Sequence, residues 1–216
     1  MNQTRERLAQ VYDSRADEYD AAMRKAQYFS PEWIARHIYD IDEVSECRVL
    51  DLACGTGINV KALSSLRPGI HADGIDVSSK MIEHARSTNK YDGLFVQDLN
   101  TPLLDIPSDT FDLVIAFGVL ELLSNISVCL SECRRVLKVN GTLWVSFQRF
   151  ELDDERSPPR QMTIGGINLT GYSEDQILHT MSSLPMRVTS IDTVIGYITV
   201  TDFACPFYVL SARKMR

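Results

Sequence analysis

Three aspartates stand one strand-and-helix unit apart: Asp51, Asp76 and Asp98 each close a short apolar run, and Gly55-Thr56-Gly57 follows the first of them. A strand that delivers a carboxylate to a glycine-rich turn, with a helix beyond, brings acid and backbone N–H groups to one point. In open α/β folds that point lies at the carboxyl ends of parallel strands, where nucleotide-like ligands bind. A single aspartate at a strand end is commonly a turn or cap residue. Three in register beside such a turn converge on one crevice. The run Gly55-x-Gly57-x-x-Val60 has two of the three glycines of the dinucleotide fingerprint, and Asp76 lies near its ribose-binding position. Val60 fills the place where glycine or alanine permits close helix packing, and the anionic Asp51 repels a pyrophosphate. A nicotinamide oxidoreductase is therefore the weaker reading. A ligand with a ribose diol, an adenine and an ammonium group matches these charges better.

The elements that must position these groups alternate between strand-like and helix-like patterns, as in a parallel sheet covered on both faces. Strands are expected at 48–53, 71–76, 94–97, 111–117 and 141–147, and helices at 58–66, 79–87 and 127–137. Ser78-Ser79 is a plausible cap for the second of these helices. A helix at 173–183 precedes two more strands, 187–194 and 207–212, with no crossover helix between them, so this pair is expected to be antiparallel. The fold class is α/β, with a seven-stranded, mostly parallel sheet whose last strand is reversed. Two helices, 5–25 and 31–39, come first; Leu8, Tyr12, Tyr19 and Met23 recur at helical spacing on the first and are expected to face the sheet. The polar stretch 151–170 lacks periodicity and reads as a functional lid or a mobile loop. The 216 residues suit a single domain, with N-terminal helices at 1–45, a ligand-binding core at 46–148 and a substrate-side loop, helix and hairpin at 149–216.

Asp51-Leu-Ala-Cys-Gly-Thr-Gly57, Gly74-Ile-Asp76-Val-Ser78-x-x-Met81-x-x-x-Ala85-Arg86 and Gln97-Asp98-Leu99 resemble the first three motifs of class I S-adenosylmethionine-dependent methyltransferases. Phe111 to Phe117 and Arg135 to Leu143 resemble the later motifs. The likeness is strongest to the UbiE-like and methyltransferase-like branch acting on small molecules. It implies a Rossmann-like three-layer sandwich with the N-terminal helices as a lid. It also implies S-adenosyl-L-methionine as cofactor, with S-adenosyl-L-homocysteine as product. Residue by residue, it implies that Gly55 and Gly57 let the backbone pass close to the methionine part, beside Ala53. Asp51 would act near the ammonium through the backbone or water, and Asp76 would accept both ribose hydroxyls. Val77 and Met81 would sandwich the adenine, Asp98 would accept from its amino group, and the Leu99 N–H would donate to the ring. Phe117 would stand where the methionine end meets the substrate.

Tyr12-Asp13-x-x-Ala16-Asp-x-Tyr19-Asp20 is similar to the family's lid motif, so Tyr19 is expected to close over the cofactor and donate its hydroxyl to the carboxylate. Many relatives place histidine in a Leu-Glu-His run after the fourth strand; here the run is Leu120-Glu121-Leu122. Glu121 and Tyr19 are the candidate catalytic residues. Cys54 is a filler, with no basic partner adjacent in sequence. The implied reaction is in-line methyl transfer to an O, N or S atom of a small molecule, driven mainly by proximity and orientation. The alternatives are a cofactor-binding protein that does not methylate, or a cyclase on the same scaffold.

Composition narrows the partners. A net charge of −7 argues against a phosphate-backbone partner, and no Asp-Pro-Pro-Tyr run suited to methylating nucleic-acid bases follows the fourth strand. No run approaches the roughly 20 apolar residues of a membrane span, and the first residues lack a signal-peptide core, so a cytoplasmic protein is expected. Five cysteines with no Cys-x-x-Cys pair read as reduced, buried thiols, with no metal site. A monomer or homodimer is expected. Tyr28, Phe29, Phe150, Tyr172, Tyr197, Phe203 and Phe207 form the aromatic neighbourhood from which a wall for a small, partly apolar substrate would come.

Overall fold

Residues 47 to 52 show the layering in miniature. Cys47 and Val49 enter one apolar cluster and Leu50 and Leu52 the other, so this strand is buried on both faces. In the structure, a computed structural model describing residues 5–42, 45–103, 105–150, 159–164, 167–199 and 201–216, the same alternation continues across the neighbouring strands. Val114, Leu143 and Leu210 face the first cluster with Leu50, while Leu113, Trp144 and Val209 face the second.

The chain begins with α1 (Arg5–Asp13), α2 (Ala16–Lys25) and α3 (Ser30–His37). Strand β1 (Cys47–Leu52) leads to α4 (Ile58–Leu66), β2 (Ile70–Asp76), α5 (Ser79–Ser87), β3 (Gly93–Val96) and β4 (Phe111–Ala116). A 3-10 turn at Leu120–Leu122 precedes α6 (Ile126–Val136) and β5 (Leu137–Gln148). The hairpin β6 (Arg160–Ile164) and β7 (Ile167–Gly171) precedes α7 (Glu174–Ser182), β8 (Met186–Ile198) and β9 (Ala204–Lys214).

The main sheet has seven strands in the order β3-β2-β1-β4-β5-β9-β8. All neighbours from β3 to β5 are parallel, and β9 runs antiparallel to both β5 and β8. The expected reversal of the last strand and the antiparallel final pair are therefore present. Helices α6 and α7 cover one face through Leu130, Cys133, Ile177 and Met181; α3 and α4 cover the other through Trp33, Ile34, Val60 and Leu63. From β1 the chain moves to β2 on one side, and β4 pairs with β1 on the other. That reversal opens a crevice at the carboxyl ends of the strands.

Two expectations need correction. The helix expected over 5–25 breaks at Ser14-Arg15. Asp13, at the end of α1, accepts from the Ser78 hydroxyl and the Lys80 N–H at the start of α5. From α2, Asp17 pairs with His84 on α5, while Asp20 accepts from Thr56 and from Lys61 on α4. These anchors tie α1 to α5, and α2 to both α4 and α5. The stretch 151–170 is not all loop: residues 151–158 lie outside the described part, but 160–164 pairs with 167–171. Local cap chemistry follows the sequence more closely. Ser78 accepts from Met81 N at 3.1 Å, and Ser173 forms a reciprocal capping box with Gln176.

Candidate active site

A cavity of about 330 Å³ opens at the crevice and is roofed by α1, α2 and β7. The strand-turn-helix after β1 builds its floor. Ala53 takes a left-handed backbone with φ 52°, unusual for a residue with a side chain and held by the surrounding turn. Gly55, at φ 53°, presents bare backbone, and a Cβ there would meet nothing nearer than Tyr19 at 3.8 Å. The Gly55 N–H donates to Asp76 Oδ2 and the Ser78 N–H to Asp76 Oδ1, each at 2.9 Å. Asp76 is thereby locked by backbone N–H groups, with Val77 N–H also directed at it, and its carboxylate still borders the cavity. Burial raises its pKa, while these backbone bonds oppose the rise. Its wall continues through Val77, the fully buried Met81, Gln97, Asp98 and Leu99. Asp98 Oδ1 is taken by the backbone and side-chain amides of Asn100, each at 2.9 Å, which fixes the carboxylate at the rim.

Of the sequence-predicted residues, Ala53, Gly55, Asp76, Val77, Met81, Asp98, Leu99, Phe117, Tyr19 and Glu121 all line this cavity. Asp51 and Gly57 are not among the lining residues. Gly57, at φ 88°, sits behind the floor, where a Cβ would lie 3.0 Å from the Tyr91 ring. The same Tyr91 donates to Asp51 Oδ2 at 2.8 Å, and Asn59 donates to Asp51 Oδ1 at 3.0 Å. Asp51 is fully buried, and burial lifts its pKa to about 6 against the pull of those two bonds. Asn59 stands in the cavity wall, and its Oδ1 is buried with no partner. Asp51 therefore faces the cavity through Asn59, an intermediary that the sequence reading missed.

Leu8, Tyr12, Tyr19 and Met23 point into the cavity rather than onto the sheet as expected. Arg15, in the helix break, is the only basic side chain among the lining residues and makes no ion pair with a described residue. Tyr19 is raised in pKa by burial first and by the nearby Asp76 and Glu121 next, so its phenol keeps its proton. Cys54 lines the floor with its thiol pushed upward by burial, unsuited to nucleophilic attack.

The far half of the cavity is largely apolar. Leu8, Ile167 and Leu169 form one cluster with Tyr12, Val77, Leu122 and Phe150 packed against it, and Phe117, Tyr28, Tyr197 and Phe207 complete the wall. Phe117 serves core and cavity at once, touching Phe29 and Trp33 as well. Of the other aromatics of the expected neighbourhood, Phe150 backs that cluster and covers Gly171, Tyr172 packs on Phe147, and Phe203 is exposed. Glu121 enters this apolar half, 5% exposed, with one carboxyl oxygen buried and unpartnered. Burial lifts its pKa to about 7. Leu122, which stands where many relatives have histidine, also lines the cavity.

Sheet order, glycine turn and carboxylate clamp together define a Rossmann-like α/β fold with its ligand-facing crevice at the carboxyl ends of the parallel strands. Residues 50–145 match the family model described as a methyltransferase domain. The chain is 35% identical to the demethylmenaquinone methyltransferase of Thermotoga maritima over 65% of this chain and 61% of that protein. It is 32% identical to a ubiquinone biosynthesis O-methyltransferase of Bradyrhizobium diazoefficiens over 59% of this chain and 47% of that protein. The matched region spans about half to three-fifths of these curated relatives. Among solved structures, the cyclase SpnF superposes with a TM-score of 0.76 at 17% identity, covering 99% of this chain and 98% of its own. The 1,6-didemethyltoxoflavin-N1-methyltransferase of Burkholderia thailandensis, solved with its substrate and S-adenosylhomocysteine, gives 0.71 at 16% identity, covering 98% and 87%. At these identities the structural likeness speaks for the fold.

Proposed function

We propose that this protein transfers the methyl group of S-adenosylmethionine to an O, N or S atom of a small, partly apolar molecule. The observation that carries this reading is one cavity with two unlike halves: a carboxylate-lined floor at the glycine turn and an apolar chamber holding a lone buried glutamate. The residues fit the cofactor on their own terms. The Asp76 carboxylate borders the cavity where it would accept from a ribose diol, and Asp98 and the Leu99 N–H would meet the adenine edge. Asn59 Oδ1 is an unsatisfied acceptor suited to an ammonium group, with the Asp51 carboxylate behind it. Arg15 and the Tyr19 hydroxyl are donors for a carboxylate. When bound, this cofactor supplies an electrophilic methyl group on a cationic sulfur.

The chain's own part is positioning and one proton. The sulfur leaves without protonation, so alignment of the acceptor with the methyl group does most of the work, and effective concentrations gained this way supply several kcal/mol. Leu8, Ile167 and Leu169 exclude water from the reacting side. Glu121, ionised above its pKa of about 7, takes the proton that an O–H, N–H or S–H acceptor must lose as it is methylated. Leu122 removes the histidine alternative at this position. The same reading makes a small molecule, rather than nucleic acid, the partner and the cytoplasm the site of action.

Transfer of labelled methyl from S-adenosylmethionine into an extract of small molecules, with mass spectrometry of the product, tests the proposal. Calorimetry with S-adenosylmethionine and NAD accompanies it. Binding of NAD without S-adenosylmethionine sinks the cofactor assignment. Binding of S-adenosylmethionine with no label transferred to any acceptor favours the non-methylating reading.

A further inference from the structure

Tyr91 reaches the site from behind. It stands in the loop between α5 and β3, and its neighbour Asp92 pins that loop to β2. The Asp92 N–H donates to Ala72 O at 2.7 Å, and the Asp92 carboxylate pairs with His71 at 3.0 Å. The Tyr91 ring is wedged between two glycines. A Cβ on Gly57 would lie 3.0 Å from it, and one on Gly74 2.8 Å from it. Cys54, Ile82, Ala85 and Leu94 close around the same ring. At its tip the hydroxyl donates to Asp51 Oδ2 at 2.8 Å. Burial first and the Asp51 charge next push this phenol well above its ordinary pKa, so it stays a donor.

Asp51 is a fully buried carboxylate without a cation of its own. Its side-chain partners Tyr91 and Asn59 are neutral donors, and among the described residues it forms no ion pair. The titratable groups facing it are Asp76 on β2, Cys54 in the turn and Tyr28 ahead of α3, none of them cationic. A buried charge is costly unless a counter-charge offsets its lost hydration. Asn59, bonded to Asp51 at 3.0 Å, itself lines the cavity, so Asp51 lies one side chain away from any ligand there. We infer that Tyr91 is a positioning residue for the cofactor, fixing the Asp51 carboxylate as the counter-charge of the cofactor's ammonium group. This rests on the proposed cofactor. Asp51 acts through its field across Asn59 and needs no contact with the ligand. Burial lifts its carboxyl, and the Asn59 and Tyr91 hydrogen bonds hold the rise to about 6. An arriving ammonium group then expels the proton that part of the population carries near that pH, and the proton passes to the buffer.

Calorimetry at pH 6 in two buffers of different ionisation enthalpy counts that proton. S-adenosylmethionine is expected to release about half a proton more than adenosine, which meets the Asp76 clamp but has no ammonium group. Tyr91→Phe keeps the ring between the glycines and removes one hydrogen bond to the carboxylate, which moves the Asp51 titration about one pH unit towards alkali. The variant is expected to bind S-adenosylmethionine about eightfold more weakly than the unaltered protein at pH 5.5, and about twofold more weakly at pH 7. Adenosine should bind both proteins alike, which shows the variant folded. In an Asp51→Asn background, adding Tyr91→Phe should change the affinity by less than about twofold at either pH. Equal proton release by the two ligands, a loss independent of pH, or an undiminished effect in Asp51→Asn overturns the inference while the cofactor assignment stands. Failure of the unaltered protein to bind S-adenosylmethionine overturns both together.

Discussion

Replacing Glu121 by Gln should make the protein less sensitive to alkali, because the glutamate is held where its charge is unwelcome. In the folded chain burial holds its proton up to about pH 7, whereas the unfolded chain releases it near the usual value of 4.5. Between those values the native state binds one more proton than the unfolded state, so stability falls as pH rises. The contribution is fully present below pH 4.5 and is lost as pH passes through 7. At about 1.4 kcal/mol per pH unit within the window, the loss between pH 5 and pH 8 comes to about 2–3 kcal/mol. Asp51, raised to about 6 by its burial, adds a loss of the same sign, but it is common to both proteins and cancels in their difference. Urea unfolding of the unliganded protein and of Glu121→Gln at pH 5, 6, 7 and 8 reads the effect. The gap between the two should widen in the variant's favour by about 2–3 kcal/mol from pH 5 to pH 8. The absolute offset is of no consequence, since a buried glutamine carries its own unpaired amide. Parallel stability curves would refute the reasoning, showing either that Glu121 is solvated or that a donor already satisfies it.

Three further outcomes follow from the same geometry. Methyl transfer should rise with pH to a plateau through an apparent pKa near 7, and Glu121→Gln should remove that limb and lower the rate; an unchanged profile assigns the proton to another group. Asp76→Ala should weaken S-adenosylmethionine binding by about 2–4 kcal/mol in calorimetry, through loss of two charge-assisted hydrogen bonds. It should also loosen the turn, since the Gly55 and Ser78 N–H groups lose their acceptor. Arg15→Met should weaken S-adenosylmethionine severalfold yet leave adenosine unaffected, because only the former carries a carboxylate; equal losses for both ligands would place Arg15 away from the methionine end.

Much of the floor was readable because its signals are local. Asp51 to Gly57 fixes a strand, a turn and a helix within a dozen residues, and Asp76 and Asp98 recur at the spacing of the repeating unit. The roof was less readable because its signals are distant or brief. Nothing in residues 5–25 announces the break at Ser14, which depends on Asp13, Asp17 and Asp20 reaching α4 and α5. The alternation of Ile167 and Leu169 spans too few residues to stand out, although Gly165-Gly166 between two short runs is a recognised hairpin signal. Asn59 was hidden for another reason: an amide's role depends on which of its two ends remains unpaired, and here that is settled by Asp51.

The two halves of the cavity are drawn from different parts of the chain. Asp76, Asp98 and Gly55 lie within the matched domain at 50–145, whereas Leu8, Gln148, Ile167, Leu169, Tyr197 and Phe207 lie outside it. The flanks answer to fewer constraints, because the Asp76 and Asp98 carboxylates take their hydrogen bonds from Gly55, Ser78 and Asn100 inside the matched domain. Exchanging Ile167 or Leu169 reshapes what the chamber accepts and leaves the adenosyl floor intact. Such a division lets a lineage try new acceptors one side chain at a time while it keeps the same methyl donor.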